Sequence, residues 1–377
     1  MTMTEKRDLL VMKFLHYFIT EKNYNPVIVH GIQNEIWLEN MDSEFRIVRI
    51  VMGYIHNQEQ LNFDNYKVNR LVRQIKLKTF TLKMKVMTLY IDVNEDVELA
   101  STKINYPVRI KNEASLKNSE VISSYFPDMI DKLRFTEEGA LLYEKINADI
   151  LKKNLNDSEK INDLFSKKKP VVTNLLILVI TLVMIATYVF GKGSMDIATL
   201  YLFGGLVKDG SPIRLLTSIF LHIGLLHFLM NVWALKLLGD QTENFYGHLK
   251  TFIIFIYSGI VGNLLSVILM GSNTISAGAS GAIFGFMGAI LYFAINQRTY
   301  MGEALRREIL PVIIINILFG FVLTGVNMYA HVGGLIGGML IATALGIKHK
   351  SSRFEKINGF VASTILVIVL SYLAYFM

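Results

Sequence analysis

The chain has 377 residues, 52% of them hydrophobic, and a mean hydropathy of +0.40, which is long enough for more than one domain and too apolar for a wholly soluble one. It has no cysteine, so disulfides, thiol catalysis and cysteine metal sites are excluded. The net charge of +7 comes without a recognisable basic stripe interleaved with aromatics, so it reads as the cationic loops of a membrane protein and no nucleic-acid partner is expected.

Residues 1–169 hold most of the charges, and after Lys169 the charges retreat into short clusters between long uncharged runs. The expected organisation is a soluble α+β domain over residues 1–166, followed by an all-α polytopic membrane domain over 167–377. Leu9-Leu10-Val11-Met12 runs straight into Lys13, with neither an uninterrupted apolar core nor a small-residue cleavage site, so no signal peptide is expected. Residues 5–21 read as an amphipathic helix. Pro26–His30, Glu35–Glu39 and Phe45–Met52 are rich in β-branched and aromatic residues and read as strands, with Gly31 and Asn40-Met41-Asp42 as turns. Asn65–Lys78 reads as a basic helix, Val86–Val93 as a strand, 94–120 as an irregular connection and Phe135–Ser166 as a charged helix. This order is similar to the core of restriction-endonuclease-like domains. However, Glu35, Glu39, Arg46 and Arg49 at the strand ends do not make that family's metal-binding signature, so a non-catalytic regulatory or binding domain of unknown partner is expected.

Lys167-Lys168-Lys169-Pro170 then marks the edge of the bilayer: the lysines stay with anionic headgroups and the proline suits a first helical turn. A spanning helix needs about 20 apolar residues. Val171–Phe190 supplies the first, and Gly191–Thr217 is mixed, with Lys192, Asp196, Lys208, Asp209 and Arg214, so it is expected to lie in the interface. Leu215–Leu235 gives the second. The uncharged run between Lys250 and Arg298 breaks at Gly271–Ser280 into the third and fourth, and Ile309–Ile347 divides near Thr324-Gly325-Val326-Asn327 into the fifth and sixth. Asn358–Met377 is the seventh. With alternating spans, Lys167–Lys169, Lys236, Lys250, Arg298, Arg306, Arg307, Lys348, Lys350, Arg353 and Lys356 fall on one side, against Lys192, Lys208 and Arg214 on the other. The positive-inside rule then puts the N-terminus in the cytosol and the C-terminus outside.

On this count Ser280, His331, His222, His227 and Asn231 all sit toward the outer side. Each has an ordinary explanation. Ser280, within Gly278-Ala279-Ser280-Gly281, could cap a helix; His222 could sit among headgroups; His227 and Asn231, four apart on one helix face, could bridge helices; and the glycines after His331 could form a packing face. Together they suggest chemistry. Histidine titrates near neutral pH and can activate a serine hydroxyl. Gly281 and Gly285, facing Gly333 and Gly337, would let the two helices approach closely enough for a Ser280–His331 hydrogen bond. His227, Asn231 and the Ser280 N–H would then stabilise an oxyanion, each donor being worth about 3–4 kcal/mol in the transition state. No acidic third member is available in those helices, which makes the pair a dyad.

The same residues resemble the rhomboid family of intramembrane serine proteases. Its Gly-x-Ser-Gly corresponds to Gly278–Gly281, its Ala-His-x-Gly-Gly-x-x-Gly to Ala330–Gly337, its His-x-x-x-Asn to His227–Asn231 with His222 upstream, and its Gly-x-x-Gly-Asn to Gly259–Asn263. The match covers roughly residues 170–377. The resemblance implies six core helices plus a seventh, catalytic Ser280 and His331, stabilising His227 and Asn231, and support from His222, Gly278, Gly281, Gly333, Gly337 and Arg214. It also implies substrates that are single-span membrane proteins, a cell-membrane location, and neither cofactor nor metal. One departure is Ile213-Arg214 where the family has Trp-Arg. A catalytically inactive client-binding relative normally lacks the serine or histidine. A transporter should show broken helices or inverted repeats, neither of which is found.

Overall fold

A computed structural model of the chain describes residues 3–29, 33–193, 195–208, 210–270, 274–322 and 326–376. The expected turn at Gly31 and parts of two expected breaks, at 271–273 and 324–325, lie outside these residues, as do His30 and Asp209. The chain divides into two compact units, Met1–Lys160 and Ile161–Met377.

The N-terminal unit opens with α1 (Met3–His16), which continues as a single π-helical turn, Tyr17–Glu21. A five-stranded sheet follows, built from β1 (Asn25–Val27), β2 (Glu35–Glu39), β3 (Phe45–Val51), β4 (Lys85–Tyr90) and β5 (Asn105–Arg109), paired in sequence order. The first three strands are antiparallel. Helix α2 (Gln58–Lys78) then crosses over, so β4 and β5 add in parallel. The α2 helix begins seven residues earlier than expected because Asn57 caps it, its side chain accepting from Gln60 N. Strand β5 falls where an irregular connection was expected. Pro107 removes a donor from the strand, which is tolerated because β5 lies at the sheet edge. Helices α3 (Glu120–Tyr125), α4 (Met129–Lys132) and α5 (Gly139–Phe165) complete the unit, whose boundary with the next falls inside α5. Beneath α2, Arg49 is fully buried. It grips Asp64 through both terminal nitrogens at 2.5 and 2.6 Å and Glu35 at 2.7 Å, while Tyr90 donates to Asp64 at 2.6 Å.

The second unit contains α6 (Val171–Val189), α7 (Ile197–Leu202), β6 (Leu206–Val207), α8 (Arg214–Thr217), α9 (Leu225–Tyr246), α10 (His248–Leu269), β7 (Ile275–Ser276), α11 (Ser280–Asn296), α12 (Arg298–Ala304), α13 (Leu310–Val322), α14 (Met328–Leu345) and α15 (Arg353–Phe376). By length and composition α6, α10, α14 and α15 can each cross a membrane. The expected single helix over 215–235 is instead broken. A short helical stretch ending at Phe220 and α9 are bent by 93°, and α9 runs on to Tyr246 past Lys236, Asp240 and Glu243. That pair makes a fifth candidate. The α11 helix is shorter, at 17 residues, and α13 continues from α12 through a π-helical turn; among the described residues four helices, or five with the bent pair, meet the length and composition of a full span.

Helix α11 is buried on every side, as expected of a helix that is apolar all round. It packs on α9, α10 and α14. At the far end of α9, Glu243 is fully buried and caps α6 in trans, accepting from Val172 N at 2.8 Å and from Thr173 N and Oγ1 at 2.9 and 2.7 Å. A carboxylate at a helix N-terminus answers both its unpaired N–H groups and its dipole.

Candidate active site

The α11–α14 seam fixes the geometry of the site. A methyl group added at Gly334 would lie 1.9 Å from Gly281 O, and one at Gly338 would lie 2.0 Å from Gly285 O. The partners of Gly281 and Gly285 are therefore Gly334 and Gly338, not Gly333 and Gly337 as expected. The latter two turn toward α10, where added methyl groups would lie 2.9 Å from Gly262 Cα and from the Val261 side chain. Adjacent residues on a helix point about 100° apart, so a double Gly-Gly repeat provides two flat faces and α14 uses both.

Ser280 is the first residue of α11, is half-buried, and its Oγ makes no hydrogen bond among the described residues. It does not cap the helix, since the capping position is Ala279. One turn along the same face, Phe284 stacks against the His331 ring with centroids 4.2 Å apart and planes 12° apart. This holds the imidazole beside the face of α11 that Ser280 heads. The expected Ser280–His331 hydrogen bond is not formed in this structure, and such bonds often tighten only with substrate. His331 is 8% exposed, and its buried Nδ1 has no hydrogen-bond partner among the described residues.

The bent segment before α9 brings the other two histidines under the serine loop. His227 Nδ1 accepts from Ile223 N at 3.3 Å, which assigns the proton of the neutral ring to Nε2. That edge faces Gly278: a methyl group there would lie 2.8 Å from His227 Cε1 and 3.1 Å from Nε2. Gly278 has φ +144°, so a side chain is excluded both by the backbone and by the ring. His222 is 1% exposed and its Nε2 accepts from Ala279 N at 3.4 Å, bracing the residue before Ser280. Asn231 donates to His227 O at 2.9 Å, and its buried Oδ1 has no hydrogen-bond partner among the described residues. Arg214 lies outside this cluster: it donates to Tyr201 O and Gly205 O, both at 2.8 Å, and stacks over Tyr201, stapling the long connection. Neighbouring Ile213 is 60% exposed. Among the described residues no group of three or more His, Asp or Glu side chains could hold a metal ion.

Three further residues hold the site and were not singled out from sequence for doing so. Asn327 caps α14 one turn before His331, accepting from Ala330 N at 3.1 Å. Its Nδ2 donates to Ser266 Oγ on α10 at 2.5 Å and to Ser276 Oγ, four residues before Ser280, at 2.8 Å. Asn263 donates to Leu215 O and Ser218 Oγ at 2.8 and 3.0 Å, while Ser218 O accepts from Gly278 N at 3.0 Å. Phe284 could have been found as the i+4 neighbour of Ser280, and Asn327 as a cap residue before an apolar helix.

Comparison with known proteins agrees with this arrangement. The Rhomboid domain profile matches residues 209–348. Rhomboid protease GluP of Bacillus subtilis (strain 168) is 30% identical over 347 residues, covering 88% of this chain and 68% of that protein, so the likeness extends well into the N-terminal unit. Putative rhomboid protease YdcA of the same organism is 31% identical over 159 residues, 42% of this chain and 78% of the relative. RHOMBOID-like protein 4 of Arabidopsis thaliana is 36% identical over 168 residues, 43% of this chain and 42% of that protein. With its motifs in order on one multi-pass apolar fold and with this breadth of similarity, the chain belongs to the rhomboid family.

Proposed function

We propose that the chain is an intramembrane serine endopeptidase acting on transmembrane segments of membrane proteins, with Ser280 as nucleophile and His331 as general base. The observation that carries this reading is an accessible, uncommitted Ser280 hydroxyl heading a helix whose next turn stacks the His331 ring. His331 Nδ1 is enclosed, which leaves Nε2 to take the serine proton as Oγ attacks the scissile carbonyl and to return it to the leaving amine. The developing oxyanion meets the Nε2–H of His227, the remaining amide hydrogen of Asn231 and the Ser280 N–H. His227 is held by the Ile223 N–H and Asn231 by its own donation to His227 O, which limits the reorganisation needed as charge appears. Among the described residues His331 Nδ1 has no acidic partner, which supports a dyad.

In this reading residues 1–166 form a cytosolic regulatory domain and 167–377 the protease domain. Six core helices and a seventh cross the cell membrane, with the N-terminus cytoplasmic, the C-terminus extracytoplasmic, and Ser280 and His331 near the outer side. A fluorophosphonate probe on the full chain tests the chemistry. Ser280 should label, and Ser280→Ala and His331→Ala should each lose cleavage of a model transmembrane substrate at unchanged expression. Cleavage by either variant refutes the dyad, and an unreactive Ser280 in a folded wild type would indicate a client-binding relative.

A further inference from the structure

The N-terminal unit carries a surface that its own fold does not use. The core face of α2 buries Leu61, Asp64, Val68 and Val72. The opposite face carries Phe63 at 72% exposure, Tyr66 at 68%, Arg70, Arg73 and Leu77 at 57%, spaced alternately by three and four residues, so they form one stripe along about 20 Å of helix. In the turn that follows, Phe80, held at φ +49°, is 45% exposed and Leu82 is 88% exposed. No Asp or Glu occurs between Asp64 and Asp92, a segment with seven Lys or Arg residues. Lys67 and Lys85 are engaged by Glu35, Asp64 and Glu44. Arg70, Arg73, Lys76, Lys78 and Lys83 have no ion-pair partner among the described residues. Contrary to the expectation from sequence, Arg70 and Arg73 therefore share one helix face with Phe63 and Tyr66, flanked by Lys76 and Lys78.

We propose that this face of α2 and its following turn dock on anionic phospholipid, in the bilayer that the chain itself spans. Two features favour lipid over other polyanions. Unpaired cations alone would suit any acidic surface, but the stripe and the turn also present Leu77 and Leu82 to solvent. A bilayer offers anionic headgroups with an apolar boundary just beneath them, and so satisfies both at once. A nucleic-acid backbone would leave both leucines in water. Because the N-terminal unit is covalently continuous with the membrane helices, its effective concentration at a bilayer is high and weak individual contacts suffice.

The absence of native cysteine makes a direct test possible on the full chain. Leu82→Cys, carrying an environment-sensitive fluorophore, is reconstituted into nanodiscs of phosphatidylcholine alone or with phosphatidylglycerol. In the mixed discs the emission should shift to the blue and be quenched by spin-labelled lipid. The quenching should fall at least severalfold in neutral discs, in molar salt and in the Arg70→Glu, Arg73→Glu, Lys78→Glu variant, because charge attraction is screened within about 3 Å at that ionic strength. Equal quenching in both lipids overturns the proposal, as does full quenching of the charge-reversed variant, or a blue shift that arises only when duplex DNA or polyglutamate is added. The two-lipid comparison needs no charge variant to fold. Probe labelling at Ser280 in the same discs reports on the protease site separately.

Discussion

The Gly334–Gly281 contact gives the sharpest test of how backbone packing sets the reacting groups. Gly334→Ala places a methyl carbon 1.9 Å from Gly281 O, and the obstacle is backbone, which cannot swing aside as a side chain would. A carbon–oxygen contact needs about 3.3 Å, so α11 and α14 must part or slide by about 1.4 Å immediately beside Ser280. Overpacking of this kind costs about 1–3 kcal/mol of stability, which a packed membrane domain should survive. Catalysis should suffer more, since a misplacement of about 1 Å costs on the order of 100-fold in rate. The assay is the rate of fluorophosphonate labelling of Ser280 in purified full-length protein, read beside thermal unfolding. Gly281→Ala is the graded control, because its added methyl group would lie 3.2 Å from Ala330 O and needs only a few tenths of an ångström of relief. If Gly334→Ala labels as fast as wild type, or if the two variants are equally impaired, backbone approach does not control the reaction.

Two other consequences concern residues that act through their neighbours. Asn327→Asp keeps the acceptor that caps α14 but loses both donations, to Ser266 and Ser276. It should slow labelling about tenfold at near-wild-type melting temperature, whereas Asn327→Ala should also cost about 1 kcal/mol of stability, and unchanged labelling by the Asp variant would remove Asn327 from the positioning machinery. In the N-terminal unit, burial raises the Asp64 carboxyl, but the Arg49 guanidinium outweighs it and brings the pKa down to about 2. A depressed carboxylate stabilises the fold fully above its unfolded value near 3.9, and the stabilisation is lost as pH falls through about 2. Arg49→Met should leave two buried carboxylates sharing only Lys67, at a cost of about 3 kcal/mol, and its tryptophan-monitored acid unfolding should begin at higher pH than in wild type. An unchanged acid transition would refute the pairing.

Local signals carried much of the architecture. Glu35–Glu39 was expected with its observed ends, and Phe45–Val51 and Val171–Val189 within a residue, because apolar patterning and Pro170 act over a few residues. Strand β5 escaped because Pro107 argues against a strand until an edge position is known. The kink at 221–224 escaped because an uncharged run from Leu215 to Leu235 reads as a continuous helix whether or not the chain turns by 93° within it.

The candidate site divides in the same way. Ser280, His331, His227 and Asn231 were legible from spacing, since residue type and an i, i+4 interval are properties of the chain alone. Which glycines meet was not: Gly333 and Gly334 are neighbours in sequence, and only the placement of α10 and α11 on either side of α14 decides that one faces Val261 and the other Gly281. Nor could the sequence state that Phe284 stacks on His331 or that Asn327 reaches Ser266 and Ser276, 61 and 51 residues away along the chain. The sequence determined which chemical groups are present and which helix faces carry them. The tertiary structure decided which faces meet, because helix rotation is set by packing summed over all neighbouring elements, and no single segment contains that sum.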